Sequence, residues 1–546
     1  MTENPLLPQR IPRILLFLGT VGLLLFVCIQ LLPIFAVSSP EDPDNQASAS
    51  VISRETADKK ALALAEERFG GATEAPHTVH QSDSLLYGYL SKENKLTDFA
   101  HTYDARFPTD TFQSQVNTKY GELFVYTHME SGRIVGWRLF PVGDDRTKAS
   151  SRYVSEWTKL QFARKTAIAE GFRSTDLRDG QVNGNVATFE PKSYKMEEAQ
   201  LRLQVTVQAL DRSGTLTAIS YHAAFEAPSG YIVNVKSQDK LAASLSLFGS
   251  LLMNALLFLL AIIMAIRTRR STSFRRGLLL AGLFLLFYVV NNYNMADGIR
   301  ASYGERPNAE TLTVAGLLFS NLFTALMAIS VWFSLIGGDG IWRRDGRRLW
   351  ARYREPGYGD HVWRAMKLSY PLALAMLGAQ SILLYSLDRS IGSWSTTSVE
   401  SSPYNFAIPL LYPLLAWCAA ISEEALYRLF GIALFTKLFR NKFIGCLLPT
   451  IIWALGHVTY PVYPSYSRLI ELTIVGLLFC WLFLRYGFIA AVFTHAVLDT
   501  LLMAFDLITI GSVVNWLAAL FYLVLPVGIA WVLRTITNRR MNAAGG

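Results

Sequence analysis

About ten runs of apolar residues, most of them near the length needed to cross a bilayer, constrain this chain more than any other feature. A crossing takes about 20 residues of helix, because inside lipid a segment must satisfy its own backbone polar groups. The runs lie at 14–37, 241–266, 277–294, 312–336, 369–387, 406–435, 443–460, 470–485, 488–506 and 513–534. With 51% hydrophobic residues among 546, the chain is too apolar for an ordinary soluble enzyme. It is also long enough for a membrane bundle plus a water-facing region. The expected fold is a polytopic α-helical membrane protein with an α+β domain outside the bilayer.

The formal charge of +9 invites a nucleic-acid partner, but its placement argues against one. Arg267, Arg269, Arg270, Arg275 and Arg276 fill one short loop between apolar runs, and Arg343, Arg344, Arg347, Arg348, Arg352 and Arg354 fill another. Short basic loops mark the cytoplasmic side of a membrane protein. Alternating the runs from a cytoplasmic N-terminus places every basic loop inside, and both termini with them. It leaves region 38–240 and the sparser loops 295–311, 388–405 and 461–469 outside. The run 14–37, preceded by Arg10 and Arg13, reads as a retained anchor, with small residues at Ala36-Val37-Ser38-Ser39 allowing a cleaved signal as the competing reading. The domains expected are an anchor at 1–37, an extracytoplasmic α+β domain at 38–240, a second span with its basic loop at 241–276, and a membrane core at 277–536. Region 38–240 contains no cysteine and no Asn-x-Ser/Thr site, which favours a bacterial plasma membrane over the secretory pathway.

Within region 38–240 two stretches look alike. Residues 60–69 and 164–172 both read as short amphipathic helices, and each is followed by paired β-rich runs. The first pair, 122–129 and 133–140, flanks Glu130-Ser131-Gly132; the second, 201–210 and 215–225, flanks Arg212-Ser213-Gly214. Two helix–hairpin repeats are therefore expected, and they resemble PepSY-type domains. His77, His80, His101, His128 and His222 show no metal-ligand spacing and read as surface or core residues.

The chemistry lies in the apolar runs. Ser422-Glu423-Glu424-Ala425-Leu426-Tyr427-Arg428 puts two carboxylates and an arginine where ionisable groups are costly and mark function by default. Trp453 and His457 lie in a second run, His495 and Asp499 in a third. His457 and His495 are the two of the eight histidines that sit in long apolar segments. Glu424 and Arg428, four apart, share a helix face and can pair, as can His495 and Asp499. Glu423 points about 100° away from Glu424, so one of the two is free to face a cavity. A carboxylate beside a like charge in a low-dielectric site suits general acid–base work, and histidines on other helices can orient a water or meet an oxyanion. Glu471, Asp506 and Asp388 lie at run ends and read as interfacial. Gly337-Gly338-Asp339-Gly340 reads as the start of a cytoplasmic loop rather than as a site.

The order Glu423-Glu424…Arg428, Trp453…His457, His495…Asp499, on three runs with 470–485 between the last two, resembles the CPBP family of CAAX prenyl endopeptidases and bacteriocin-processing enzymes. The resemblance implies an eight-helix protease core reaching back to about Gly277. It also implies a glutamate-type intramembrane endopeptidase acting on a membrane-associated or lipidated peptide or protein. On that pattern Glu423 activates water; Glu424, His457, His495 and Asp499 complete the catalytic group, with Arg428 and Trp453 in support. Asp499 stands where the CAAX-processing members carry Asn. An ionised Asp cannot donate a hydrogen bond, so it fits the orientation of His495 better than direct contact with an oxyanion. No cofactor is expected on this reading. The alternatives are a zinc peptidase with Glu423, His457 and His495 as ligands, although the His-Glu-x-x-His arrangement is lacking, and a non-proteolytic membrane scaffold or immunity protein.

Overall fold

The computed structural model describes residues 7–32, 51–142, 154–210 and 215–545. The small residues at 36–39, most of the linker before Ser53 and the turn Arg212-Ser213-Gly214 lie outside the described residues.

A first helix, α1 (Arg13–Leu31), is followed in the described chain by an α+β unit. Helices α2 (Arg54–Phe69), α3 (Ser84–Lys92) and α4 (Glu156–Ala169) cover one face of an antiparallel sheet. Its strands are β1 (His77–Ser82), β2 (Asp110–Thr118), β3 (Gly121–His128), β4 (Ile134–Pro141), β5 (Gln181–Asn183), β6 (Val186–Phe189), β7 (Lys195–Met196), β8 (Ala199–Ala209) and β9 (Leu216–Glu226). The strand order is β1-β2-β3-β4-β9-β8-β6-β5, with β7 beside β8. Helices α2 and α4 begin earlier than hydrophobic periodicity alone indicates. Ser53 and Ser155 cap them, each accepting a hydrogen bond from the backbone three residues on, at 3.2 and 3.1 Å. In the β3–β4 turn, the amides of Glu130 and Ser131 donate to His128 Nδ1. The two halves share a helix and a long hairpin but differ between them: α3 follows β1 in the first, whereas β5 to β7 occupy that place in the second.

The rest is a bundle. Helix α5 (Ser229–Arg267) runs 39 residues without a break, so it crosses the expected boundary at 240. Then come α6 (Leu278–Asn294), α7 (Ala296–Ser302), α8 (Ala309–Arg344) and α9 (Tyr358–Ile391). Helix α10 comprises Leu414–Glu423, a π-helical stretch Glu424–Ile432, and Ala433–Phe439. The bundle ends with α11 (Lys442–Leu455), α12 (Tyr466–Tyr486), α13 (Phe488–Ile510) and α14 (Val513–Gly545). Among the described residues seven helices are long and apolar enough to cross a bilayer, or eight if α6 and α7, bent by 52°, make one span. The ten expected runs are thus not ten uniform crossings. Charges interrupt α10, and α11 has only 14 residues, roughly 21 Å of helix against a hydrocarbon core of about 30 Å.

Small residues set the closest packing. A Cβ at Gly22 would lie 2.1 Å from Leu374 O, which seats α1 on α9, and one at Gly338 would lie 2.7 Å from Leu429 O, which seats α8 on the π-helical part of α10. Trp342 Nε1 donates to that same Leu429 carbonyl at 2.9 Å. Asp339 does not open a loop. It lies inside α8, buried, and the guanidinium groups of Arg276 (3.0 Å), Arg343 (2.9 Å) and Arg352 (3.8 Å) converge on it. Three arginines compensate the charge that would otherwise have pushed this residue to the surface.

The sheet domain sits on the face of the bundle opposite that arginine cluster. Asp297 pairs with Arg54 and His77 at 2.5 and 3.0 Å, and Glu305 accepts from Tyr126 and Arg138, both at 2.8 Å. Asn405 grips the backbone of His80 from both sides, accepting from its N–H at 2.7 Å and donating to its C=O at 3.0 Å. A two-stranded pair, β10 (Trp394–Ser395) with β11 (Val462–Tyr463), lies under the first turns of α5, where Tyr463 donates to Asp239 at 2.7 Å.

Candidate active site

Glu423 lies nine residues into α10 from its domain-side end, roughly 14 Å along the axis. Directly after it the helix widens into π geometry, a form concentrated at functional sites. His457 follows the last turn of the short helix α11, so its ring sits below the level that a full-length span would reach. His495 and Asp499 lie one turn apart on α13.

These side chains come together. Glu423 Oε1 is 3.6 Å from His457 Nε2, and its Oε2 is 3.8 Å from His495 Nε2 and accepts a hydrogen bond from Trp453 Nε1. Glu423 keeps 18% of its side-chain surface open, whereas Glu424 is fully buried. Glu424 takes the other pairings: Oε1 lies 2.8 Å from His495 Nδ1 and 3.2 Å from Arg428 Nη1. The Arg428 guanidinium is sandwiched between the rings of Trp453 (4.4 Å) and Phe479 (5.1 Å), contacts that favour a cation when water is excluded. Asp499 Oδ2 is 3.4 Å from His495 Nε2, so both ring nitrogens of His495 address carboxylates.

The ring orientations follow from these partners. His457 Nδ1 lies 2.9 Å from Trp453 O, an acceptor only, so Nδ1 carries the proton and Nε2 is left facing Glu423. His495 Nδ1 donates to Glu424 by the same logic. Both Nε2 atoms are thereby directed at one carboxylate. Two carboxylates of different exposure, two oriented imidazoles and a buried cation can abstract a proton and meet developing negative charge at one point. Among the described residues no three His, Cys, Asp or Glu side chains are arranged to hold a metal ion.

Other contacts have no counterpart in the motifs. Phe479 lies 4.7 Å from the His495 ring and Tyr460 5.3 Å from that of His457. Tyr427, four residues after Glu423, donates to Asn254 Oδ1 on α5 at 3.0 Å. Asn254 is a polar residue within an apolar run, the same signal that singles out Glu423, but a milder one. Glu471, expected at the interface, is fully buried, held by Arg468 (2.6 Å) and Gln380 (2.8 Å). Asp506 lies two turns beyond Asp499 on α13 and faces Tyr412 at 3.5 Å.

Residues 405–501, which include every one of the motif residues, match the family described as type II CAAX prenyl endopeptidase Rce1-like. The bundle therefore carries an Rce1-like domain, in a multi-pass membrane protein. The chain is also similar to the sporulation-killing factor biosynthesis protein SkfC of Bacillus subtilis (strain 168), at 23% identity over 357 residues. That match covers 63% of this chain and 66% of the length of SkfC. No solved structure matches the chain.

Proposed function

We propose that this protein is an intramembrane endopeptidase in which Glu423 activates water to hydrolyse a peptide bond of a membrane-associated or lipidated peptide or protein. The observation that carries the reading is the convergence of His457 Nε2 and His495 Nε2 on the partly open carboxylate of Glu423, at 3.6 and 3.8 Å. Glu423 takes a proton from water as the oxygen attacks the scissile carbonyl carbon. The tetrahedral oxyanion forms beside the imidazoles, and the proton held by Glu423 passes to the leaving amine as the C–N bond breaks. Asp499 and Glu424 fix the ring of His495, and Arg428 offsets the charge of Glu424. Water reaches the site from the domain side, where α11 stops short. On this reading the sheet domain lies outside a bacterial plasma membrane and the arginine cluster inside. The similarity to a killing-factor biosynthesis protein fits a precursor peptide as substrate.

The test compares membrane-associated peptides from cells producing the wild type or Glu423→Gln, followed by cleavage of the differing peptide by purified protein in liposomes. Glu423→Gln keeps size and hydrogen bonding but removes the base, so cleavage should fall at least a hundredfold with the folded bundle retained. Wild-type activity should persist through strong chelation. Loss on chelation with recovery on adding zinc would instead make Glu423, His457 and His495 ligands. A cellular phenotype that requires the protein but is indifferent to Glu423→Gln would favour a scaffold.

A further inference from the structure

Helix α5 lies outside the segment that matches the peptidase family, yet one turn of it touches both of the motifs that carry Glu423 and His457. Tyr427 is buried, and its hydroxyl donates to Asn254 Oδ1 at 3.0 Å; Asn254 Nδ2 in turn donates to Ser250 Oγ at 3.2 Å. Ser250, also buried, sits against Gly456, the residue before His457: a Cβ at Gly456 would lie 2.9 Å from Ser250 Oγ. One residue earlier on each side, Gly249 meets Leu455, where an added Cβ would lie 2.4 Å from Leu455 Cδ1. The contact between α5 and the end of α11 is therefore as close as side chains allow.

Two geometric facts give this contact consequence. Tyr427 follows Glu423 by four residues, at the point where α10 passes into π geometry, so fixing its hydroxyl fixes the rotation of the turn that carries the carboxylate. Residues 456 and 457 lie beyond the last α-helical turn of α11, each tied to it by a three-residue bond, to Trp453 O and Ala454 O at 3.0 Å, so what lies against Gly456 helps to set where the imidazole stands. We infer that Asn254 and Ser250 are positioning residues, which set the spacing between Glu423 and His457 by holding Tyr427 on one side and Gly456 on the other. Their effect on catalysis rests on the peptidase reading; their effect on geometry does not.

The arrangement predicts coupling rather than simple loss. With the peptide identified by the Glu423→Gln comparison as substrate, Asn254→Leu should lower kcat about tenfold while KM changes less than twofold, as a misplaced carboxylate affects the chemical step. Tyr427→Phe should lower kcat similarly, and the double variant should fall no further than either alone. Gly456→Ala should also lower kcat, because the new methyl group would meet Ser250 Oγ at 2.9 Å, and Ser250→Ala, which removes the acceptor of the Asn254 amide, should lower it as Asn254→Leu does. A second readout needs no activity. In a Cys28→Ser chain, a cysteine placed by Glu423→Cys should be alkylated by iodoacetamide at a rate that Asn254→Leu changes at least threefold, with the chain lacking that cysteine as the blank. Additive losses in the double variant, full activity of Ser250→Ala, or an unchanged alkylation rate would each overturn the assignment. If the wild type cleaves nothing yet the alkylation rate shifts, the peptidase reading fails and the positioning role stands.

Discussion

At Asp499 one oxygen atom decides what the residue can do. Its carboxylate sits 3.4 Å from His495 Nε2, while the other nitrogen of that ring is taken by Glu424 at 2.8 Å. An amide in place of the carboxylate keeps an acceptor oxygen for the imidazole, so Asp499→Asn should retain part of the activity. Asp499→Leu leaves His495 with one oriented nitrogen and should cost at least ten times more in kcat/KM, measured on the same peptide. The ionisable residues were legible in the sequence because charge within an apolar run is expensive and therefore conspicuous. Asn254 and Ser250 were not: small polar residues are ordinary in membrane helices, and their importance depends on which helix lies opposite. Phe479 gave no signal at all, since an aromatic ring in an apolar run looks the same whether it faces lipid or a guanidinium. The burial of Glu471 was not legible because its partners, Arg468 and Gln380, include one on a helix distant in sequence.

Among the elements, the placing of apolar runs was legible and their ends were not. Helices α5, α8 and α9 extend well past the apolar stretch that announces them, because the sheet domain or the arginine cluster gives their polar turns partners that a hydropathy pattern does not record. The stretch Gly337-Gly338-Asp339-Gly340 shows the same difficulty: its glycines suggest a loop, but they serve close packing within a helix. That packing can be tested. At Gly338 a methyl group would meet the Leu429 backbone at 2.7 Å, so Gly338→Ala should push α8 from the π-helical part of α10 and destabilise the protein by about 1–3 kcal/mol. Gly282, which has open space around it, is the matched control, and Gly282→Ala should leave the thermal midpoint unchanged. Equal midpoints for the two variants would mean that α10 has room to yield.

On the scale of the whole molecule, the domain and the bundle share too many contacts to be independent parts on a tether. Their relation to the membrane is the proposal most easily tested. Single cysteines placed at Ser131 and Ser271, in a chain lacking Cys28, should react with a membrane-impermeant reagent from opposite sides; labelling of both from one side would break the assigned orientation. The seating of the domain has a further consequence at Asn405. Strand β1 is the outer member of its sheet, and the open rim of such a strand is a template for pairing with another chain. Asn405 occupies the N–H and C=O of His80 as a neighbouring strand would, so a loop of the bundle caps the outer strand at that residue. Separated from the bundle, the domain would bare that rim and gain a reason to self-associate. The helical bundle thus also shields the edge by which β1 could pair with a second copy.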